Sequence, residues 1–400
     1  MSAKSKSRIK TAIVYDKAAT TFGGAEQVLL ALHQRFPKAP LLTSVYQPKK
    51  AVWAKAFPQI FTSFLQKIPF ASSAYRWFLP LMPLAFESLD LSEYDLIISV
   101  TSGEAKGIIT KPDQFHLCYL LTPPRYLYSH RAEYLESKKL LSLPGFKWLT
   151  SKLLNYLVWW DQAAIHRPDL IIPISQLVAQ RVKNYYKIEP GPVVYPPVDV
   201  AFSQTATRAY KDLSKFDRLP SLPTNYFLVV SRLVAYKQIE LAIQACLALG
   251  QNLIIVGQGP EMVELKVMTT KLQAEPTSQS AQIVFLGNQP QEVVNHLYQG
   301  AEALLMPAKE DFGITALQAN YFGTPAVLHQ QSGAAEIIKD QQHAVLLKET
   351  NLSYLIRAIE QIKSTRFNSK QLKTNAQDYT TNKFLDKLES IIEPYLANTN

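Results

Sequence analysis

Strand-length apolar runs alternate with helix-length amphipathic stretches along nearly the whole chain, and this alternation limits the possible folds more than any other feature. In the first half the runs are Thr11–Tyr15, Leu41–Tyr46, Leu96–Val100, His116–Leu121 and Leu170–Ile174. In the second they are Tyr226–Val230, Leu253–Val256, Ile283–Leu286, Ala303–Met306, Ala326–Leu328 and Ala344–Leu347. Helical periodicities lie between them, as at Ala25–Phe36, Trp148–His166, Gln238–Leu249 and Ile314–Phe322. Strands that are apolar throughout are buried on both faces, so helices must cover both sides of a parallel sheet. The expected fold class is therefore α/β, with doubly wound parallel sheets.

A chain of 400 residues is long enough for two such units. A break falls where Pro190-Gly191-Pro192, a strand-like Val193–Tyr195 and Pro196-Pro197 give way to a polar stretch, Ser203 to Asn225. This spacing predicts a linker near 198–224, a first domain over 1–198 and a second over 199–380. The last helix, about Asn382–Leu396 within 381–400, is expected to cross back to the first domain. A polar loop, Glu275–Ala281, interrupts the second. Two doubly wound domains would bind ligands in a cleft at the carboxyl ends of their strands.

Composition excludes several classes. At 47% hydrophobic and 18% charged residues the chain is not dominated by disorder. Cys118 and Cys246 cannot build a disulfide framework and read as buried free thiols of a reducing compartment. No signal peptide is expected. The most apolar segment, Ile68 to Phe86, is interrupted by Pro69, Arg76, Pro80 and Pro83, so no transmembrane helix is expected either. The charge is uneven: residues 1–200 hold 24 Lys and Arg against 14 Asp and Glu, whereas residues 201–400 hold 18 of each. All of the +10 lies in the first half. It serves solubility, or it meets an anionic partner: a phospholipid surface, a lipid pyrophosphate or a nucleic acid.

Four strand-to-helix loops could carry chemistry. Phe22-Gly23-Gly24-Ala25-Glu26 opens a helix, whose start favours an anion, though on this segment alone a plain strand-to-helix turn is the stronger reading. Ser231-Arg232-Leu233-Val234-Ala235-Tyr236-Lys237 offers a planar guanidinium and a point charge, a pair suited to a pyrophosphate. Gly257-Gln258-Gly259-Pro260 has Pro260 at a first-turn position of a helix. Most specific is Met306-Pro307-Ala308-Lys309-Glu310-Asp311-Phe312-Gly313-Ile314, continued by Leu317-Gln318 and Gly323-Thr324-Pro325. It presents a carboxylate at Glu310 and N–H groups at a helix start. The plain alternative is an acidic residue complementing the helix dipole.

These loops, with Tyr94-Asp95-Leu96-Ile97-Ile98-Ser99, Leu121-Thr122-Pro123-Pro124-Arg125-Tyr126 and Val194-Tyr195-Pro196-Pro197-Val198-Asp199, resemble family 4 of the retaining nucleotide-sugar glycosyltransferases. That family has the GT-B fold of two Rossmann-like domains, and the resemblance covers nearly the whole chain. The Thr-Pro-Pro-Arg-Tyr and Glu-Asp-Phe-Gly-Ile forms look most like bacterial mannosyltransferases of O-antigen and exopolysaccharide assembly. The resemblance implies that Arg232 and Lys237 hold the donor pyrophosphate and that Glu310 contacts a donor-sugar hydroxyl. N–H groups of Asp311, Phe312, Gly313 and Ile314 would hold other hydroxyls, and Gly23, Gly24 and Gly257 would approach the donor. Arg125 would face the acceptor. It further implies a GDP-mannose donor without a metal or other cofactor, a glycan or lipid-linked acceptor, and a cytoplasmic location peripheral to the inner membrane face.

Two departures stand out. The family carries Glu at both ends of a seven-residue gap, but here the second end is Gln318, where ribose hydroxyls usually bind. An amide carbonyl accepts a weaker bond than a carboxylate. The usual first-domain His after the Ser99 strand is also absent, the chain running Thr101-Ser102-Gly103-Glu104-Ala105-Lys106-Gly107. Three other readings stay open: the same enzyme with a UDP-sugar donor, a catalytically weak homologue that binds a glycan or membrane, and a nucleic-acid binder. An NAD-dependent oxidoreductase is disfavoured because no loop completes the dinucleotide fingerprint.

Overall fold

A computed structural model of the chain describes residues 9–129, 131, 144–198, 222–275 and 280–397. Most of the expected linker and most of the Glu275–Ala281 loop lie outside the described residues. The chain divides into two compact units, Met1–Pro197 with Asn382–Asn400, and Val198–Thr381. Each contains one six-stranded parallel sheet, so the fold class is α/β and GT-B, with two Rossmann-like units.

In the first unit the strands are β1 Thr11–Tyr15, β2 Leu41–Thr43, β3 Ile60–Thr62, β4 Leu96–Thr101, β5 Phe115–Leu120 and β6 Leu170–Pro173. Their order is β3-β2-β1-β4-β5-β6. β1 pairs with β4 from Thr11↔Leu96 to Tyr15↔Val100, and every residue of both strands is buried. Ala12, Val14, Leu42, Leu65, Phe86 and Ile97 pack into a core on one side of this sheet. Burying each large apolar side chain contributes about 1.5–3 kcal/mol. β3 escaped the sequence reading because it has three half-exposed residues at the sheet edge and therefore no apolar run. The strand-like Val193–Tyr195 forms no strand. Gly191 and Val194 each donate one hydrogen bond to β6 carbonyls, but Pro192, Pro196 and Pro197 remove the donors that a ladder needs.

Helix Pro144–Ala164 and its surroundings bury a charge network in this unit. The Lys106 ammonium pairs with Asp161, both side chains being almost wholly buried, and also donates to the Gly103 carbonyl at 2.7 Å. Tyr186 and Tyr128 donate to Asp161 Oδ2 at 2.7 and 2.8 Å, so the carboxylate is satisfied on both oxygens. Removing one partner from such a pair costs about 3–5 kcal/mol, because it strands the other charge. The terminal helix, Thr381–Ala397, gives its aromatic side to this unit: Phe384 meets the Tyr119 ring edge-on at 5.6 Å and Tyr395 stacks on Phe115 at 4.9 Å. Cys118 is buried in the first unit and Cys246 in the second, both unpaired, and burial pushes both thiols up, Cys118 to about 12.

The second unit has β7 Phe227–Val230, β8 Leu253–Val256, β9 Ile283–Gly287, β10 Ala303–Met306, β11 Ala326–His329 and β12 Ala344–Leu347. Their order is β12-β11-β10-β7-β8-β9. Counted from its own first strand, this repeats the order of the first sheet. In both, the first and fourth strands are neighbours from which the chain builds outward in opposite directions. The loops leaving such a neighbouring pair diverge and open a crevice at the carboxyl ends. Here the loops are those after β7 and β10. Among the described residues, no helix is long and apolar enough to cross a membrane.

Candidate functional site

The loop after β7 is fixed before any ligand is considered. Ser231 N–H donates to the Val256 carbonyl at 3.0 Å and Leu233 N–H to Gln258 at 3.1 Å. A single 3₁₀ turn, Ala235–Lys237, follows and is closed by Gln238 in the left-handed region at φ 52°. A side chain there costs about 1–2 kcal/mol, and the surrounding structure must hold it. Gln238 caps helix Ile239–Ala248, so the strained residue sits between Lys237 and a rigid element.

Two cations gather on Tyr236 in this turn. Arg232 Nη2 lies 3.4 Å from the Tyr236 hydroxyl, and Lys237 Nζ stands 5.2 Å from the centre of its ring. The Lys237 ammonium also donates to Glu310 Oε1, with the lysine side chain 18% exposed and the carboxylate 8%. A loop from one side of the switch point is thereby joined by an ion pair to a loop from the other.

Glu310 is held by its backbone. Its N–H donates to Ser332 Oγ at 3.0 Å, and its carbonyl accepts from Gly333 N–H at 3.1 Å. Ala334 N–H donates to the Phe312 carbonyl at 2.6 Å, so the loop after β11 clamps residues 310–312. Asp311 and Phe312 are buried within it. Gly313 has φ 95°, and a Cβ there would meet Met306 Cε at 2.6 Å, so only glycine turns the chain into helix Ile314–Phe322 at this point. Gln318 follows Ile314 by one helical turn, and its Oε1 accepts from the buried Tyr298 hydroxyl at 3.4 Å.

The other sequence-derived candidates are placed differently. Gly257, at φ 129°, lies under the loop after β7, where a Cβ would fall 1.8 Å from the Ser231 carbonyl oxygen. Close packing of two protein loops already demands this glycine. Pro260 is not in the first turn of a helix: helix Met262–Gln273 begins two residues later, with Glu261 as its cap. Gly23, Gly24 and Arg125 all belong to the first unit. Gly23 is the extended cap of helix Gly24–Arg35. In its first turn Glu26 accepts from Tyr15 Oη at 2.8 Å and Thr20 Oγ1 at 3.0 Å, placing a carboxylate at the helix start where an anion was expected. Arg125 is half-buried in the loop after β5.

The structure thus brings Arg232, Lys237 and Glu310 together, and adds Tyr236, Gln238 and Ser332, which the sequence reading passed over. Tyr236 stands between the two cations in the sequence and could have been noticed there. Ser332 could not, because it arrives from a different strand.

Residues 211–379 match the family model of the glycosyl transferases group 1. The group 1 match begins in the linker and ends near helix Ser369–Gln377, so it takes in every second-unit residue of the candidate site. Among curated proteins the chain is 25% identical over 206 residues to one of Salmonella typhimurium named as a colanic acid biosynthesis glycosyltransferase, covering 48% of this chain and 47% of that one. The chain spans about half or less of the length of the curated relatives it matches. Among solved structures, HepE of Anabaena in complex with UDP superposes with a TM-score of 0.64 at 16% identity, over 96% of this chain and 100% of that one. Sucrose-phosphate synthase of Thermosynechococcus elongatus gives 0.70 at 14% identity, over 97% and 100%. These two likenesses speak to the fold.

Proposed function

We propose that this chain is a retaining glycosyltransferase that moves a hexose, mannose first among candidates, from a nucleoside-diphosphate sugar to a glycan or lipid-linked glycan of surface polysaccharide synthesis. The observation that carries this reading is the Arg232–Tyr236–Lys237–Glu310 assembly at the carboxyl ends of β7 and β10, inside the segment that matches the group 1 family. Arg232 and Lys237 supply two positive charges on one rigid turn, which suits a diphosphate whose charge grows as it leaves. Glu310 is an oxygen acceptor for a sugar hydroxyl, and Asp311 to Ile314 add backbone donors. Gln318 serves the ribose through its amide carbonyl.

In this reading the bond from the sugar C1 to the diphosphate oxygen breaks as an acceptor oxygen bonds to C1 on the same face. The acceptor proton passes to the departing phosphate oxygen. The chain's own residues position the donor and stabilise the leaving charge, so no side-chain nucleophile is needed and no metal is invoked. Arg125 belongs to acceptor recognition. The excess charge and the exposed Trp148, Trp159, Trp77 and Phe70 of the first unit suit peripheral attachment to an anionic membrane surface.

GDP-mannose is the leading donor. UDP-sugars are the second reading, raised by the HepE structures with UDP and UDP-glucose. The test is a thermal-shift screen with GDP-mannose, UDP-glucose, UDP-galactose, UDP-N-acetylglucosamine, GDP and UDP, followed by transfer assays with the best donor. A ligand at 100 times its dissociation constant adds roughly 2.7 kcal/mol of stability. No shift with any of the six removes the donor-site reading.

A further inference from the structure

Two carboxyl groups stand at the switch point of the first sheet, and the structure uses them differently. Asp16, directly after β1, accepts from Thr101 Oγ1 at 2.6 Å, Ser102 N–H at 2.7 Å and Ala105 N–H at 3.0 Å. It is saturated, and it ties the loop after β4 to β1. Glu104 lies in that loop and is 7% exposed. Its Oε1 accepts from the Tyr126 hydroxyl, and among the described residues no hydrogen bond reaches its Oε2. Nor is Oε2 one of the side-chain atoms sealed from solvent without a partner. A carboxyl more than nine-tenths buried thus keeps one oxygen open, at the place in an α/β sheet where ligands bind.

Four groups face it. Asp16 and Lys17 come from the loop after β1, Tyr126 from the loop after β5, and Lys106 from its own turn. Lys106 donates to Asp161 and the Gly103 carbonyl and makes no hydrogen bond to the open oxygen. Burial, then Asp16, push the Glu104 carboxyl up to about 7 against the opposite pull of Tyr126, Lys106 and Lys17. Such a shift is common at functional sites, and here it accompanies the open oxygen.

We propose that Glu104 binds a hydroxyl group of a hexose on the acceptor side, through Oε2. This rests on the glycosyltransferase reading and names a residue that the family resemblance does not supply. The ionised carboxylate accepts a charge-assisted bond from the hydroxyl, and the neutral form only an ordinary one. Glu104 takes no part in the proton transfer, which stays on the diphosphate.

The test uses the full chain and methyl α-mannoside as probe, with binding followed by saturation-transfer NMR at pH 6 and pH 8. A group titrating near 7 is about a tenth ionised at pH 6 and about nine-tenths at pH 8, so wild-type affinity should rise up to about tenfold between them. Glu104→Gln keeps an acceptor for Tyr126 and should fold, yet its affinity should be low and flat with pH. Calorimetric binding of GDP and UDP is measured on the same samples and should be equal in both proteins. No binding of the probe by wild type up to about 100 mM, or the same pH rise in Glu104→Gln, overturns the proposal. Loss of nucleotide binding by wild type would instead count against the donor-site reading.

Discussion

In the proposed donor site Lys237 is already paired with Glu310, and this has a measurable consequence. With side chains 18% and 8% exposed, the pair lies between a surface ion pair, worth 0–1 kcal/mol, and a buried one, whose broken partner costs about 3–5 kcal/mol. A net strength of about 1.4 kcal/mol is a reasonable middle value, and it corresponds to a factor of ten in affinity. A diphosphate that bonds to Lys237 competes with the Glu310 carboxylate for the same positive charge. Glu310→Gln removes that competitor while keeping the shape, so free GDP or UDP should bind about tenfold more tightly. Transfer should fall on the order of 100-fold, because the amide holds the sugar hydroxyl less strongly than the carboxylate as charge develops. Calorimetry with the nucleoside diphosphate alone separates the two effects, since it carries no sugar. In a Lys237→Met background the Glu310→Gln change should leave nucleotide affinity untouched, closing a double-mutant cycle. Unchanged or weaker nucleotide binding in Glu310→Gln would show that diphosphate and carboxylate do not compete for Lys237, and the argument would fail.

Three further outcomes are expected. Arg232→Ala should lower turnover by about 100- to 1000-fold, as for loss of one preorganised donor to developing charge, with folding intact because the residue is exposed; near wild-type turnover would remove its role. Gln318→Glu should tighten donor binding by about 1 kcal/mol and Gln318→Ala weaken it similarly, read by calorimetry, and no change in either would mean that Gln318 does not touch the ribose. The full chain should bind anionic vesicles more tightly than neutral ones, less so at high salt, and a Trp148→Ala, Trp159→Ala variant should bind less. Those two indoles are 65% and 68% exposed on helix Pro144–Ala164, so their removal leaves the core alone; equal partitioning onto both vesicle types would cancel the electrostatic claim.

Much of the architecture was written in local sequence. Thr11–Tyr15, Leu253–Val256, Ala303–Met306 and Ala344–Leu347 were legible to the residue because a strand buried on both faces must be apolar throughout. Ile314–Phe322 was legible for a related reason: Gly313 and Gly323 both adopt positive φ, and glycine marks such positions in any sequence. Local pattern could not show Ile60–Thr62, whose strand character comes only from pairing with β2. It could not show that Gly257 is demanded by the Ser231 carbonyl, that Ser332 holds Glu310, or that Lys237 is already paired. Each of these joins residues 20 or more positions apart, brought together by strand order. Glu104 is the sharpest case. By sequence it is only one residue of the segment that lacks an expected histidine; burial and Asp16, from another loop, push its carboxyl up to about 7 against the pull of Tyr126 from a third. Sequence determined which elements form, because propensity and burial pattern are local. The tertiary structure alone decided which side chains face one another, because that depends on the order of strands in the sheet.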